Sequence, residues 1–167
     1  MKKGFTLIEL LVVIGIIAIL AGIVIVAVNP GRQLAQARDA TRWNDVNALL
    51  SSVHQYAVDN LGNFPSGIDV DETTVQIVGT DTTTNCSTAI PTCTNHGSPV
   101  TVFSAAASGC YVNLLPVLVS TYLPAIPQDG QTGSALTTRF YIDRNPTTGR
   151  ITVGACDSEQ SKIEVTR

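Results

Sequence analysis

A single carboxylate lies inside the most apolar stretch of this 167-residue chain. Glu9 is the only charged residue between Leu7 and Val28, a run of 22 residues. Placing a carboxylate at the middle of a membrane helix costs about 2.5–3.5 kcal/mol, so an acid in such a run indicates a function. The alternative is that Glu9 lies shallow enough to reach the lipid headgroups. Burial depth alone leaves both interpretations open.

The apolar run is long enough to form a transmembrane helix. At 1.5 Å rise per residue it covers roughly 33 Å, and a bilayer's hydrocarbon core is about 30 Å thick. Lys2 and Lys3 precede the run, so the positive-inside rule keeps the N-terminus cytoplasmic and sends the rest of the chain across. A cleaved secretory signal is the competing interpretation. Its apolar region spans about 7–15 residues and ends in a small-x-small site, which Val26-Ala27-Val28 matches poorly.

The beginning of the chain also resembles a known processing signal. Residues 2–13 read Lys-Lys-Gly-Phe-Thr-Leu-Ile-Glu-Leu-Leu-Val-Val. This segment resembles the leader of type IV pilins and of the pseudopilins of type II secretion. The shared features are a basic leader, glycine before phenylalanine, a glutamate five places into the mature chain and an uninterrupted apolar helix.

The resemblance implies an order of processing and assembly. A prepilin peptidase is expected to cut between Gly4 and Phe5, and the new Phe5 amino group is expected to be N-methylated. Glu9 is then expected to pair with the Phe5 amino group of a neighbouring subunit during filament assembly. The physical interpretation agrees, because a buried carboxylate is tolerated when an opposite charge reaches it.

The expected fold is α+β with a pilin-like lollipop shape. Its parts are a leader (1–4), a transmembrane and filament-core helix (5–28), the second half of the long helix (29–61) and a globular head (62–167). Asn29-Pro30-Gly31 predicts a break near Pro30, because proline lacks the N–H of the helical ladder and its ring clashes with the preceding turn.

A second helical pattern is predicted over about 33–61. Its apolar residues recur at steps of three and four, so they form one stripe that is predicted to pack on the head: Trp43, Val46, Leu50, Val53 and Ala57. Trp43 is predicted to be a packing anchor. Asp39 and Arg42 have the spacing of a modest ion pair. Residues 62–65, Gly-Asn-Phe-Pro, predict the end of the helix.

The remaining elements are predicted to form a small antiparallel sheet packed on that stripe. Residues 75–78 predict a short strand, and 114–123 predict a short apolar helix begun by a proline. Residues 139–143 and 150–155 are predicted to pair as a hairpin across a turn-rich loop. Residues 163–165 add a third strand.

Four cysteines, Cys86, Cys93, Cys110 and Cys156, lie beyond the apolar run, on the side of the membrane where disulfides persist. Four cysteines allow three connectivities. Sequence proximity favours Cys86–Cys93, which closes part of a Thr-rich surface loop at 66–99, together with Cys110–Cys156. A zinc site is disfavoured, because the chain has no C-x-x-C motif and no nearby histidine pair.

No set of residues in the sequence points to an enzyme. The histidines are His54 and His96, on the polar side of a predicted helix and in the Thr-rich loop. No serine or cysteine has a credible base and orienting carboxylate, and no phosphate-binding glycine motif occurs. We therefore expect no catalytic residues, no metal site and no cofactor.

Calcium is the one cofactor that the residues leave open. Major pseudopilins bind calcium in a C-terminal loop, so the resemblance raises Asp129 and Asp143 as ligands. This chain lacks the acidic, glycine-rich ending that supplies such ligands in that family. Asp69, Asp71 and Glu72 form an acidic cluster instead, which is more typical of a solvated loop than of a hard-cation site.

Charge and location indicate the class of partner. The formal net charge is −3, and it becomes more negative when the basic leader is removed. Beyond Arg32, Arg38 and Arg42 the basic residues are scattered, so nucleic acid is not indicated. The expected partners are like or unlike filament subunits, the prepilin peptidase, an inner-membrane assembly platform and, before assembly, membrane lipid.

Two function classes remain. The first is a single-pass inner-membrane prepilin with a cytoplasmic N-terminus and an extracytoplasmic head, later part of a cell-surface pilus or a periplasmic pseudopilus. The second is a membrane-anchored extracellular binding protein that does not polymerise.

Overall fold

The computed structural model describes residues 4–68, 70, 75–80, 93–96, 98–99 and 110–167. The chain divides into two compact units, Met1–Gln36 and Ala37–Arg167. Helix α1 spans Leu7–Val28 and helix α2 spans Pro30–Asp59. A long apolar helix followed by a small sheet confirms the predicted α+β fold class.

Apart from Glu9 in its first turn, helix α1 is apolar on every side. Its mean hydropathy is 3.3, and within the described part of the chain it is the one helix long and apolar enough to cross a membrane. None of its residues is buried against the described residues. A helix that is apolar all round is typical of a membrane span or of the core of a large protein, because it has no polar face to give to water.

The break between the two helices lies at Asn29. Asn29 has left-handed backbone geometry (φ 43°) and ends α1. Its carbonyl oxygen accepts from the Arg32 N–H at 3.2 Å and its side-chain oxygen accepts from the same N–H at 3.4 Å. Pro30 is the first residue of α2, where its missing N–H costs nothing. The predicted break near Pro30 is confirmed, with Asn29 as the residue that leaves helical geometry.

The second unit holds a five-stranded sheet. Its strands are β1 (Gln76–Val78), β4 (Tyr111–Val112), β5 (Phe140–Arg144), β6 (Ile151–Ala155) and β7 (Glu164–Thr166). They lie in the order β4-β1-β5-β6-β7. Strands β2 (Thr94–Asn95) and β3 (Ser98–Pro99) form a separate two-stranded sheet. The predicted hairpin forms between β5 and β6, and β7 is the predicted third strand. A one-turn helix, α3, spans Leu115–Leu118.

The sheet is mixed, whereas the sequence predicted antiparallel pairing throughout. Strand β1 pairs antiparallel with β5 but parallel with β4. Strand β4 has two residues, too few for an alternating pattern to be visible in the sequence. Its position beside β1 follows from long-range packing and not from local signals.

The predicted stripe of α2 forms the core together with the sheet. Val46, Leu50 and Val53 are fully buried, and Leu49 joins them. They pack with apolar residues of the sheet: Phe140, Ile142, Ile151 and Val153. Each side chain of this kind contributes about 1.5–3 kcal/mol through burial. The stripe therefore fixes this part of α2 on the sheet.

Trp43 is not the packing anchor that the periodicity predicted. Its side chain is 36% exposed, whereas Arg42, the residue before it, is 3% exposed. The prediction was wrong because it ranked residues by hydrophobicity alone. A charged side chain is buried here because the fold supplies several acidic partners for it.

The disulfide bonds differ from the predicted pairing. Cys93 is bonded to Cys156, 63 residues away, which excludes both predicted pairs since each contained one of these residues. Cys110 is buried and also disulfide-bonded. Cys86 lies outside the described residues. Sequence proximity failed as a guide because the fold brings distant parts of the chain together. Cys93, Cys110 and Cys156 lie in one buried cluster with residues of β1 and β5.

Asn95 fixes the segment next to this disulfide. Its side-chain nitrogen donates to the Tyr141 hydroxyl at 2.8 Å and to the Ile163 carbonyl at 3.0 Å. Its side-chain oxygen accepts from the Ser158 hydroxyl at 2.6 Å and from the Ile163 N–H at 2.9 Å. All four hydrogen-bonding positions of this buried amide are used. Residues 93–96 are thus held to the chain around 158–163.

Candidate assembly site

Glu9 and Thr6 form a reciprocal cap at the start of α1. Glu9 Oε2 accepts from the Thr6 backbone N–H at 2.9 Å and from the Thr6 hydroxyl at 2.8 Å. The Glu9 N–H donates to Thr6 Oγ1 at 3.3 Å. These bonds satisfy donors that the first turn of a helix otherwise leaves unpaired. They also hold the Glu9 carboxylate against the N-terminal end of the helix.

The cap leaves the negative charge of Glu9 without a positive partner in the described part of the chain. Both donors from Thr6 are neutral groups, and the N-terminal end of the helix dipole offers a partial positive charge only. The carboxylate is therefore positioned and hydrogen-bonded, and none of the described residues neutralises its charge. Such a group can accept a cation that arrives from another molecule.

The structure places the expected site residues together at the exposed start of α1. Phe5 is 88% exposed. A Cβ built at Gly4 meets nothing within 4 Å, so the fold itself does not require glycine there. The prediction overlooked the role of Thr6, although the Thr-x-x-Glu spacing of residues 6–9 is a recognised capping signal.

A buried charge cluster, here called the Arg42 cluster, stabilises the second unit. It consists of Arg42 with the carboxylates of Asp39, Asp129 and Glu159. Arg42 Nε donates to Asp129 at 2.5 Å, and Arg42 Nη1 donates to Asp39 at 2.9 Å and to Glu159 at 3.0 Å. The predicted Asp39–Arg42 pair is confirmed, but it is buried and belongs to this larger cluster.

Further donors hold each carboxylate of the Arg42 cluster. Asp39 accepts from the backbone N–H groups of residues 159 and 160, the second at 2.7 Å. Asp129 Oδ1 accepts from the backbone N–H groups of residues 131 and 132, both at 2.9 Å. Arg38 donates twice to Glu159, at 2.6 and 2.5 Å. One cluster therefore fixes α2, the turn at 129–132 and the loop at 157–160.

The geometry keeps the carboxylates of Asp129 and Glu159 ionised. Burial raises the pKa of Asp129, but hydrogen bonds from Arg42 and from two backbone N–H groups outweigh it and lower the pKa to about 2. The pKa of Glu159 is also lowered to about 2, mainly by hydrogen bonds from Arg38 and to a smaller extent by one from Arg42. Burial lowers the pKa of Arg42, but its three carboxylate partners raise it further than burial lowers it.

These shifts predict loss of stability in acid. Folded-state pKa values of about 2 lie below the ordinary values of 3.8 for Asp129 and 4.5 for Glu159. The stabilisation is therefore complete above about pH 5 and is lost as the pH falls towards 2. We expect the melting temperature of detergent-solubilised protein to be level from pH 7 to 5 and then to fall. In an Arg42→Met variant the melting temperature should fall less steeply below pH 5. An equally steep fall in that variant would show that the Arg42 cluster is not the source of the acid sensitivity.

The described residues offer no metal site. Within them, no three histidine, cysteine, aspartate or glutamate side chains converge as a metal would require. Asp129, one of the calcium candidates, is committed to Arg42 and to its own turn. The acidic cluster of Asp69, Asp71 and Glu72 lies outside the described residues.

Comparison with known proteins is informative for the N-terminal segment. Residues 1–25 match the family model described as the prokaryotic N-terminal methylation motif. Searches of curated proteins and of solved structures gave no match. The matched segment contains Gly4, Phe5, the Thr6–Glu9 cap and most of helix α1. The chain therefore carries, over residues 1–25, the prepilin-type signature of type IV pilins and pseudopilins.

Proposed function

We propose that this protein is a prepilin whose mature form is a structural subunit of a type IV pilus or of a type II secretion-like pseudopilus. The observation that carries the proposal is the methylation motif at residues 1–25, which points to a structural subunit. In this proposal a prepilin peptidase cuts after Gly4, and the new Phe5 amino group is methylated. An inner-membrane assembly platform then takes up the mature subunit.

Helix α1 serves two successive roles in the proposed mechanism. Before assembly it holds the subunit in the inner membrane, with the N-terminus cytoplasmic. During assembly it leaves the lipid and packs among the α1 helices of other subunits. The uniformly apolar surface of α1 suits both surroundings, and a helix exposed on all sides has free surface for such packing.

Glu9 supplies the directional contact in this mechanism. The Thr6–Glu9 cap presents a carboxylate at the start of α1 whose charge none of the described residues compensates. Cleavage after Gly4 creates a positively charged amino group at Phe5 of every mature subunit. A carboxylate of one subunit and the amino group of the next can then neutralise each other in an apolar filament core, where an unpaired charge is strongly unfavourable.

Substitution of Gly4 tests the processing step. We expect Gly4→Val to leave the uncut chain in the membrane and to abolish filaments, because the added side chain hinders the peptidase. The second unit should melt at the wild-type temperature, since a Cβ at residue 4 has open space. Immunoblots of membrane and sheared-filament fractions measure the outcome, with Gly4→Ala as a smaller matched change. Normal filaments from uncut Gly4→Val chains would contradict the proposal and favour a different route to the cell surface.

A further inference from the structure

The loop between β6 and β7, residues 156–163, is held in place by contacts to other parts of the second unit. We call this loop the strap. On one side it is tied to residues 93–96, through the Cys93–Cys156 bond and through three hydrogen bonds of the Asn95 side chain. A surface loop of this kind is mobile unless such contacts fix it.

On its other side the strap completes the Arg42 cluster. Glu159 accepts from Arg42 at 3.0 Å and twice from Arg38. The backbone N–H groups of residues 159 and 160 donate to Asp39. Arg42 is 3% exposed and Asp39 is 5% exposed. Both buried charges therefore depend on the strap for part of the hydrogen bonding that makes their burial tolerable.

Arg139 contacts the strap from an unfavourable backbone conformation. Its φ is 67°, in the left-handed region that a residue with a Cβ disfavours. Its guanidinium donates to both carboxylate oxygens of Asp157, at 2.7 and 2.6 Å, and its carbonyl accepts from the Cys156 N–H at 2.9 Å. A strained residue persists only where its surroundings fix it. Closure of the strap therefore works against strain at Arg139 and depends on the bonds at both sides of the loop.

The disulfide at the start of the strap is shielded from solvent. Cys93 is 3% exposed and Cys156 is 0% exposed. A thiol reductant must reach one of the two sulfur atoms directly. It can do so only when the strap or the whole second unit has opened, so the rate of reduction reports that opening.

We propose that the strap is a redox-dependent clasp on the Arg42 cluster. With the Cys93–Cys156 bond formed, the strap stays closed and the cluster is complete. Reduction by a dithiol breaks the S–S bond, leaves two protein thiols and converts the reductant to its own disulfide. The strap then opens, and Glu159 and the two backbone donors leave Arg42 and Asp39. The second unit is thus complete only where disulfides persist, and this inference does not depend on the proposed filament.

Loosening the cluster should speed reduction of the bond, because coupling between two sites acts in both directions. Arg38→Met removes two hydrogen bonds from the strap at a partly exposed position, so its melting temperature should stay near that of wild type. We expect dithiothreitol to reduce this variant severalfold faster than wild type, and Arg42→Met at least about tenfold faster. Timed alkylation of Cys93 and Cys156 in the detergent-solubilised full chain, read by mass spectrometry, gives the rates.

Leu50→Ala separates opening of the strap from unfolding of the whole unit. Leu50 is fully buried in the core, so its truncation destabilises the unit about as much as Arg42→Met does but removes none of the strap's hydrogen bonds. We expect its reduction rate to stay close to that of wild type. Equal acceleration in Leu50→Ala and Arg42→Met would mean that reduction requires global unfolding, which would overturn the inference. An unchanged rate in Arg38→Met would overturn it as well.

Removing the disulfide tests the same coupling from the other side. In a chain carrying Cys93→Ser and Cys156→Ser, the strap is already open, so Arg42→Met should lower the melting temperature clearly less than it does in the wild-type background. An equal drop in both backgrounds would show that the strap and the cluster act independently. If the cysteine variant does not fold, the reduction rates of Arg38→Met and Leu50→Ala decide between the two outcomes.

Discussion

Replacing Glu9 with alanine is expected to abolish incorporation into filaments while leaving export and cleavage after Gly4 intact. In the proposed filament the carboxylate neutralises the Phe5 amino group of a neighbouring subunit inside an apolar core. Breaking a buried ion pair by removing one partner costs about 3–5 kcal/mol, because the other charge stays buried and unpaired. A cost of that size corresponds to a loss of assembly of at least about a hundredfold.

Two matched variants separate the charge of Glu9 from its hydrogen bonds. Glu9→Gln keeps a side chain that can complete the cap with Thr6 but carries no charge. Thr6→Ala removes the hydroxyl of the cap and keeps the carboxylate. We expect Glu9→Gln to fail in assembly nearly as severely as Glu9→Ala, and Thr6→Ala to assemble close to normally. Immunoblots of sheared filaments beside whole-cell samples measure the difference, and normal filaments from Glu9→Gln would sink the ion-pair hypothesis.

Replacing Arg42 with methionine is expected to destabilise the second unit by about 3–5 kcal/mol. The substitution keeps an apolar side chain of similar length but leaves Asp39 and Asp129, both nearly fully buried, without their cation. Lysine should not rescue the loss, because an ammonium group lacks the planar set of donors that Arg42 uses toward three carboxylates. Chemical denaturation of the detergent-solubilised full chain gives the change in unfolding free energy.

Arg38 provides the matched control for that experiment. Its side chain and that of Glu159 are about one-third exposed, at 34% and 29%. An exposed pair contributes about 0–1 kcal/mol, so Arg38→Met should cost far less than Arg42→Met. Neutralising Asp129 as well, with Asp129→Asn, should recover part of the loss in Arg42→Met. Equal losses of unfolding free energy in Arg38→Met and Arg42→Met would show that Arg42 does not contribute more to the cluster than Arg38 does.

Elements defined by local patterns were predictable from the sequence. The uninterrupted apolar run produced α1, the Pro30 signal produced the break, and the turn-rich loop between β5 and β6 produced the hairpin. Each depends on residues a few positions apart, so periodicity and turn chemistry were sufficient. The residues of the candidate assembly site also lie within one short segment, and their spacing was visible directly.

Features that depend on distant contacts were not predictable. Arg42 meets Asp129 and Glu159 across sequence separations of 87 and 117 residues. No local pattern indicates such partners, and without them a buried arginine looks less plausible than a buried Trp43. The prediction of the disulfide pairing failed for the same reason. Cys93 and Cys156 are 63 residues apart, and only the fold brings them together.

The N-terminus of the protein in sheared filaments reports whether the chain is cut after Gly4 and then assembled. Mass spectrometry of purified filaments should find a chain that begins at N-methylated Phe5, with residues 1–4 absent. A chain that retains Met1 and stays in the membrane fraction would contradict the account. That result would favour a membrane-anchored extracellular protein that does not polymerise.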